Sequence, residues 1–137
     1  MVAASPPAVT VLFDRDCGFC RWSVAKLLAW DRHRRLRPVA IQSQEGERLL
    51  ADIPADQRLA SAHAVDAGGR RSSGGDALAP IADVLPGGRP LAALARRAPG
   101  LARRGYDAIA ARRPLFGGLV SDGARARADR RIAERDG

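Results

Sequence analysis

Aromatic residues are scarce in this 137-residue chain, where three Phe, two Trp and one Tyr make up 4% of the total. Binding of single-stranded nucleic acid relies on stacking bases against such rings, and sequence-specific binding on a recognisable reading element. The sequence offers neither. Lysine is scarcer still, with Lys26 the single one among 23 basic residues. A chain so rich in Arg, Ala and Gly reflects a biased coding composition, so its net charge of +8 is weak grounds for an anionic partner. That charge is also uneven. Residues 1–88 carry 11 basic and 10 acidic side chains, while residues 89–137 carry 12 Arg and 5 acids. A solvated basic surface on the C-terminal third is the expectation, and nucleic acid is not expected among the partners.

Long apolar runs are missing as well. Nothing approaches the eighteen or so consecutive apolar residues that would cross a bilayer, so no membrane partner is expected. The opening "MVAASPPAV" has no basic region and no continuous apolar stretch, and does not read as a secretory signal. The expected location is the cytoplasm, where thiols stay reduced and a purely structural disulfide would be unusual. With 46% hydrophobic residues and this length, the chain suffices for one domain with a real core.

What is present begins with "AVTVLF" (8–13), apolar on both parities as a strand buried on both faces requires. "DRDCG" interrupts it, and from Phe19 the spacing turns helical. Cys20, Val24, Leu27 and Leu28 share one face, with Asp31 at the end. "LRPVAIQ" (36–42) reads as a second strand with Pro38 awkward inside it. Strand, helix, strand over this length is a βαβ unit, right-handed by the general rule. A short amphipathic helix follows over about Glu45–Asp52, then two short strands within 61–75 joined at Ala67-Gly68-Gly69. "DALAPIADVL" (76–85) is helical, capped by Asp76, with Pro80 near enough to its start to be accommodated. "LAALARRAP" and "LARRGYDAIAARRPLF" (101–116) are two further helices. The boundaries expected are one domain over 8–118 and a polar basic tail over 119–137. That tail has almost nothing to bury and is expected to be disordered or a frayed helix. The order β-α-β-α-ββ-α with extra C-terminal helices, and a CxxC between the first strand and first helix, is an α/β arrangement of the thioredoxin-like kind. It comprises a central mixed four-stranded sheet flanked by helices.

The two cysteines, Cys17 and Cys20, admit three roles. A structural zinc site needs four ligands, and only His33 and His63 are available besides the pair. Twelve residues separate Cys20 from His33, but positions 37–39, where a fourth ligand should fall, are Arg, Pro and Val. No metal site is expected. A structural disulfide would close a loop of two intervening residues and remove little chain entropy. Redox exchange is the favoured role. At a helix start the first sulfur meets free N–H groups and the positive end of the helix dipole, which favour the attacking thiolate. Cys17 is therefore the expected nucleophile. Cys20, one turn further in and facing the core, is the resolving thiol that attacks a mixed disulfide on Cys17. Asp14, at the carboxyl end of the first strand, is a candidate proton relay to Cys20 and equally a turn residue. Asp16 reads as a turn residue.

The stretch Asp14-x-x-Cys17-x-x-Cys20 resembles the signature of the DCC family of thiol-disulfide oxidoreductases, a thioredoxin-like group of small bacterial proteins and domains. The resemblance runs over roughly residues 9–116. It includes Asp31 closing the helix, Ile41-Gln42-Ser43, "SAHAVDAGG", "SGGDAL" and "YDAIAARRPLFG". It implies dithiol-disulfide exchange with a protein or low-molecular-weight disulfide, and no cofactor beyond the Cys17–Cys20 pair. Arg15 stands where the family usually has Gly. The cis-proline that thioredoxins and glutaredoxins place before the third strand has no counterpart near Ala60 or Ser61. Gly74-Gly75-Asp76 is similar to a glutaredoxin segment that holds a glutathione carboxylate, which makes Gly75 and Asp76 candidate substrate-binding residues. A glycine turn capped by Asp is the plainer reading. Trp22 is a candidate for lining the substrate surface, and His63 reads as a strand residue without catalytic work. Tyr106, Arg112 and Arg113 match family positions that the sequence alone leaves without a role. A second class of function stays open, a non-catalytic module using the Arg-rich C-terminal helices for an acidic partner or nucleic acid.

Overall fold

The computed structural model describes residues 8–135. The segment read against a secretory signal, apart from its last two residues, lies outside them, as do residues 136 and 137 of the tail. Strand β1 (Val9–Phe13) buries Val9, Val11 and Phe13 on one face and Leu12 on the other. That two-sided burial explains its unbroken apolar sequence. β1 lies at the centre of a four-stranded sheet of order β2-β1-β3-β4. It pairs in parallel with β2 (Leu36–Ala40), from Val9 opposite Leu36 to Phe13 opposite Ala40. On its other side it runs antiparallel to β3 (His63–Asp66), Leu12 facing His63. The hairpin continues into β4 (Arg71–Ser73) through a turn where Asp66 Oδ1 accepts from Gly68 N and Arg70 N at 2.9 Å each, and Gly69 takes φ +84°. Pro38 fits because β2 is an edge strand. Ile41 N donates to Phe13 O, so by the alternation of the ladder Pro38's nitrogen faces the open edge.

Helix α1 (Gly18–Trp30) packs Val24 and Leu28 on the Val9–Val11–Phe13 face, where helix α3 (Leu78–Val84) adds Ile81. Helix α2 (Gln44–Leu49) covers the opposite face, where Leu12, Val39, Ile41 and Leu50 cluster. Ser43 caps α2, its Oγ accepting from Gly46 N at 3.1 Å. The helix expected over 76–85 divides into a 3₁₀ turn, Gly74–Ala77, and α3. Helices α4 (Arg89–Arg97), α5 (Pro99–Ala111), α6 (Arg113–Leu119) and α7 (Asp122–Arg135) follow. Sheet order, strand directions and the helix after β1 are those of a thioredoxin-like α/β fold.

Two expectations are corrected. The single helix over 101–116 is broken between α5 and α6, because Pro114 has no N–H to donate to Ala110 and its ring would strike that carbonyl. The Ala110 oxygen accepts instead from Arg112 N and from Arg113 Nε at 3.2 Å. The tail does find something to bury. Ala124, Ala128 and Ile132 recur at helical spacing, and α7 lays that stripe along α1, with Ala128 fully buried and Ile132 against the core. Its end is pinned by Arg135, which donates to the wholly buried Asp31 carboxylate at 2.9 Å and to the carbonyls of Leu28, Asp31 and Leu36 at 3.1, 3.0 and 3.4 Å. A composition count misses this, since small residues and one terminal Arg do not register as apolar content.

Candidate active site

The chain leaves β1 through a tight turn that Gln42 locks from the end of β2. Gln42 Nε2 donates to Asp14 Oδ1 at 2.6 Å and its Oε1 accepts from Arg15 N at 3.0 Å. Asp14 Oδ1 also accepts from Asp16 N at 2.9 Å. Asp14 thus holds the turn in which the first cysteine is presented, and it also lines the same cavity wall as Cys20.

Cys17 is the N-cap of α1 in extended conformation, and its Sγ accepts from Cys20 N at 3.2 Å. N-caps are normally Ser, Thr, Asp or Asn, whose oxygen satisfies an orphan N–H of the first turn. Here a sulfur takes that place, at the positive end of the α1 dipole. Cys20 points its S–H at Cys17 Sγ across 2.7 Å, and both are free thiols. Both are half-buried. Cys17 opens on a groove bounded by Gly18, Ala110, Pro114 and Gly117, whereas Cys20 opens on a separate apolar cavity. Burial, the hydrogen bond to Cys17 and the charge of Cys17 together push the Cys20 thiol from its ordinary 9.0 up to about 12, while Arg113 pulls the other way. A thiol held protonated thus lies beside a half-buried sulfur cap. Among the described residues no group of three or more His, Cys, Asp and Glu is placed to hold an ion.

Arg113 is one of three residues that sequence reading left without a role. Its Nη1 lies 3.9 Å from Cys20 Sγ, its Nη2 donates to Ala60 O at 3.3 Å and its Nε to Ala110 O. Burial opposes its charge, but the Cys20 hydrogen bond and the charges of Cys20, Tyr106 and Cys17 outweigh it and raise its pKa. The break at Pro114 is what turns Arg113 towards the sulfur pair, and that proline was the available signal. Tyr106, on α5, accepts from Ala62 N at 2.7 Å and stacks over Gly74. Burial raises its pKa. Arg112 stays exposed, donating to Ala108 O at 3.3 Å. Phe116 of α6 meets Phe19 of α1 at 5.2 Å between ring centres, which fastens α6 beside the cysteines.

The remaining candidates divide. Trp22 lines the Cys20 cavity, with Phe19 stacked at 6.0 Å and Lys26 Nζ 5.5 Å above its ring. Gly75 and Asp76 are turned to packing. A Cβ on Gly75 would sit 2.5 Å from Arg103 Cα, so glycine is what lets α5 approach the 3₁₀ turn. Asp76 Oδ1 accepts from Arg103 Nε at 2.8 Å. His63 is buried, with Nε2 against Arg58 O at 2.8 Å and Nδ1 against Ser73 Oγ at 2.7 Å. A carbonyl accepts only, so Nε2 carries the proton, and burial lowers the pKa and keeps the ring neutral. In the C-terminal third, Arg96, Arg103 and Arg135 are engaged with Asp83, Asp76 and Asp31. No helix among the described residues is long and apolar enough to cross a membrane.

A family model described as DCC1-like thiol-disulfide oxidoreductase matches residues 11–119. No curated protein and no solved structure matches the chain. The match ends before α7, so the helix pinned to Asp31 lies beyond the matched span.

Proposed function

Since the chain belongs to the DCC1-like thiol-disulfide oxidoreductase family, we propose that it acts by dithiol-disulfide exchange with Cys17 attacking and Cys20 resolving. The observation that carries this is the paired approach of Cys20 N–H and S–H to a single sulfur, Cys17 Sγ, at the mouth of α1. The Cys17 thiolate attacks one sulfur of a substrate disulfide, forms a mixed disulfide and expels the other substrate sulfur as a thiolate. Cys20 then gives up its proton and attacks Cys17 Sγ. The Cys17–Cys20 disulfide forms and the second substrate thiol leaves. Two electrons pass from protein to substrate, and two protons end on the two product thiols. Arg113 faces Cys20 and stabilises the negative charge that the second step develops there. Asp14, on the same cavity wall, takes the Cys20 proton. The exchange as written uses no cofactor beyond the cysteine pair, and its substrate is a protein or low-molecular-weight disulfide.

Trapping tests this. Cys20→Ser should accumulate mixed disulfides on Cys17, Cys17→Ser should form none, and Cys17 should alkylate faster than Cys20 near neutral pH. Equal, slow alkylation with no trapped adduct would refute it.

A further inference from the structure

We propose that the substrate is a small disulfide whose apolar chain ends in a carboxylate, with the chain lodged in the cavity beside Cys20. This presupposes the dithiol exchange above and names its substrate class. The cavity measures about 370 Å³ and lies between the sheet, α1, α3 and α5, at the lower end of the size usual for small-ligand sites. Its walls are almost wholly apolar, with Val11 and Phe13 from the sheet, Leu27 from α1, Ile81 from α3 and Ile109 from α5. Ile109 is half exposed, so the cavity opens to solvent along α5.

Besides Cys20 and Arg113, the few polar groups on its lining include Ser23 and Lys26 of α1. The Lys26 ammonium is held 5.5 Å from the Trp22 ring centre. Lys26 makes no ion pair with any described residue and Arg113 none with a carboxylate, so both cations are available to an anion. Asp14, the one acid on the wall, has an oxygen occupied by Gln42 and Asp16 N. An extended peptide is disfavoured at the neighbouring segment 60–62, because strand-like recognition requires a run of free backbone groups. Ala60 O accepts from Arg113, Ala62 N donates to Tyr106 Oη, and Ala62 O accepts from Gly74 N at 2.9 Å.

The test is the rate at which pre-reduced protein is oxidised by dithiodihexanoate, its uncharged diamide, dithiodiacetate, hydroxyethyl disulfide and a disulfide-linked peptide. Each rate is divided by the same probe's rate with dithiothreitol. Each buried methylene is worth about fourfold in affinity, so dithiodihexanoate should exceed dithiodiacetate by at least tenfold and the diamide by a few-fold. Ile109→Glu should erase the chain-length advantage, and Lys26→Glu the advantage of acid over diamide. Corrected rates independent of chain length, or a peptide faster than every small probe, would overturn this substrate class while leaving the exchange intact. No oxidation by any probe, hydroxyethyl disulfide included, would overturn both.

Discussion

Replacing Arg113 with Ala should slow the second half of the exchange far more than the first. The guanidinium nitrogen is 3.9 Å from Cys20 Sγ. At an effective dielectric of about 20, unit charges at that distance attract by about 4 kcal/mol. The cation is partly exposed and its charge is spread beyond the near nitrogen, so roughly half of that, about 2 kcal/mol, acts on a full Cys20 thiolate. Losing it raises the Cys20 pKa by about 1.5 units, at about 1.4 kcal/mol per unit, and cuts the thiolate fraction about thirtyfold. A more basic thiolate is also a better nucleophile. With a Brønsted coefficient of about 0.45, some fivefold is recovered, and the net slowing is about sixfold. The assay is a stopped-flow reaction of reduced protein with an aromatic disulfide whose released thiolate absorbs visible light. Attack by Cys17 releases the first equivalent and attack by Cys20 the second. Arg113→Ala should slow the second release more than the first, and Arg113→Lys should restore part of it. Equal slowing of both releases, or none of either, would refute the electrostatic assignment.

Four other predictions rest on the same structure. Because burial, which the mixed disulfide keeps, raises the Cys20 thiol above its ordinary 9.0, the second release should still be accelerating at pH 9, read in the same stopped-flow trace. The folded state holds the Cys20 proton more tightly than the unfolded chain, so the reduced protein should keep its stability up to about pH 9 and lose it towards pH 12. Cys20→Ser should lack that loss in urea titrations. Gly75→Ala drives a Cβ into the backbone of α5 at Arg103 and should cost about 2–3 kcal/mol by urea unfolding, an unchanged midpoint being the contrary result. Arg135→Met removes one charge-assisted bond of about 2 kcal/mol and three carbonyl bonds of about 1 kcal/mol each, against about 2 kcal/mol of side-chain entropy, for a net loss of about 3 kcal/mol. A double-mutant cycle with Asp31→Asn should show coupling, and additive losses would count against the buried pair.

Much of the frame was legible before any coordinates. A run apolar on both parities located β1, helical spacing located α1, and the Ala67-Gly68-Gly69 turn located the hairpin. Asp31 closes α1 as read, and Cys17 caps it. The errors have local causes. Composition ran residues 101–116 together as one helix, although Pro114 divides them. Counting large apolar residues hid the Ala124–Ala128–Ile132 stripe that seats α7.

By itself the sequence determined that two sulfurs stand together at the start of a helix. Two thiols separated by two residues at the end of a buried strand are held together by covalent spacing and helix geometry, whatever else the chain does. Only the tertiary structure decided their surroundings. It placed Arg113, 93 residues beyond Cys20, against that sulfur, had Tyr106 take up Ala62 N, and set Gly75 against the backbone of α5. Those contacts depend on how α5 and α6 pack against α1 and the 3₁₀ turn. Packing is set by surfaces far apart in the chain, and no local pattern encodes it.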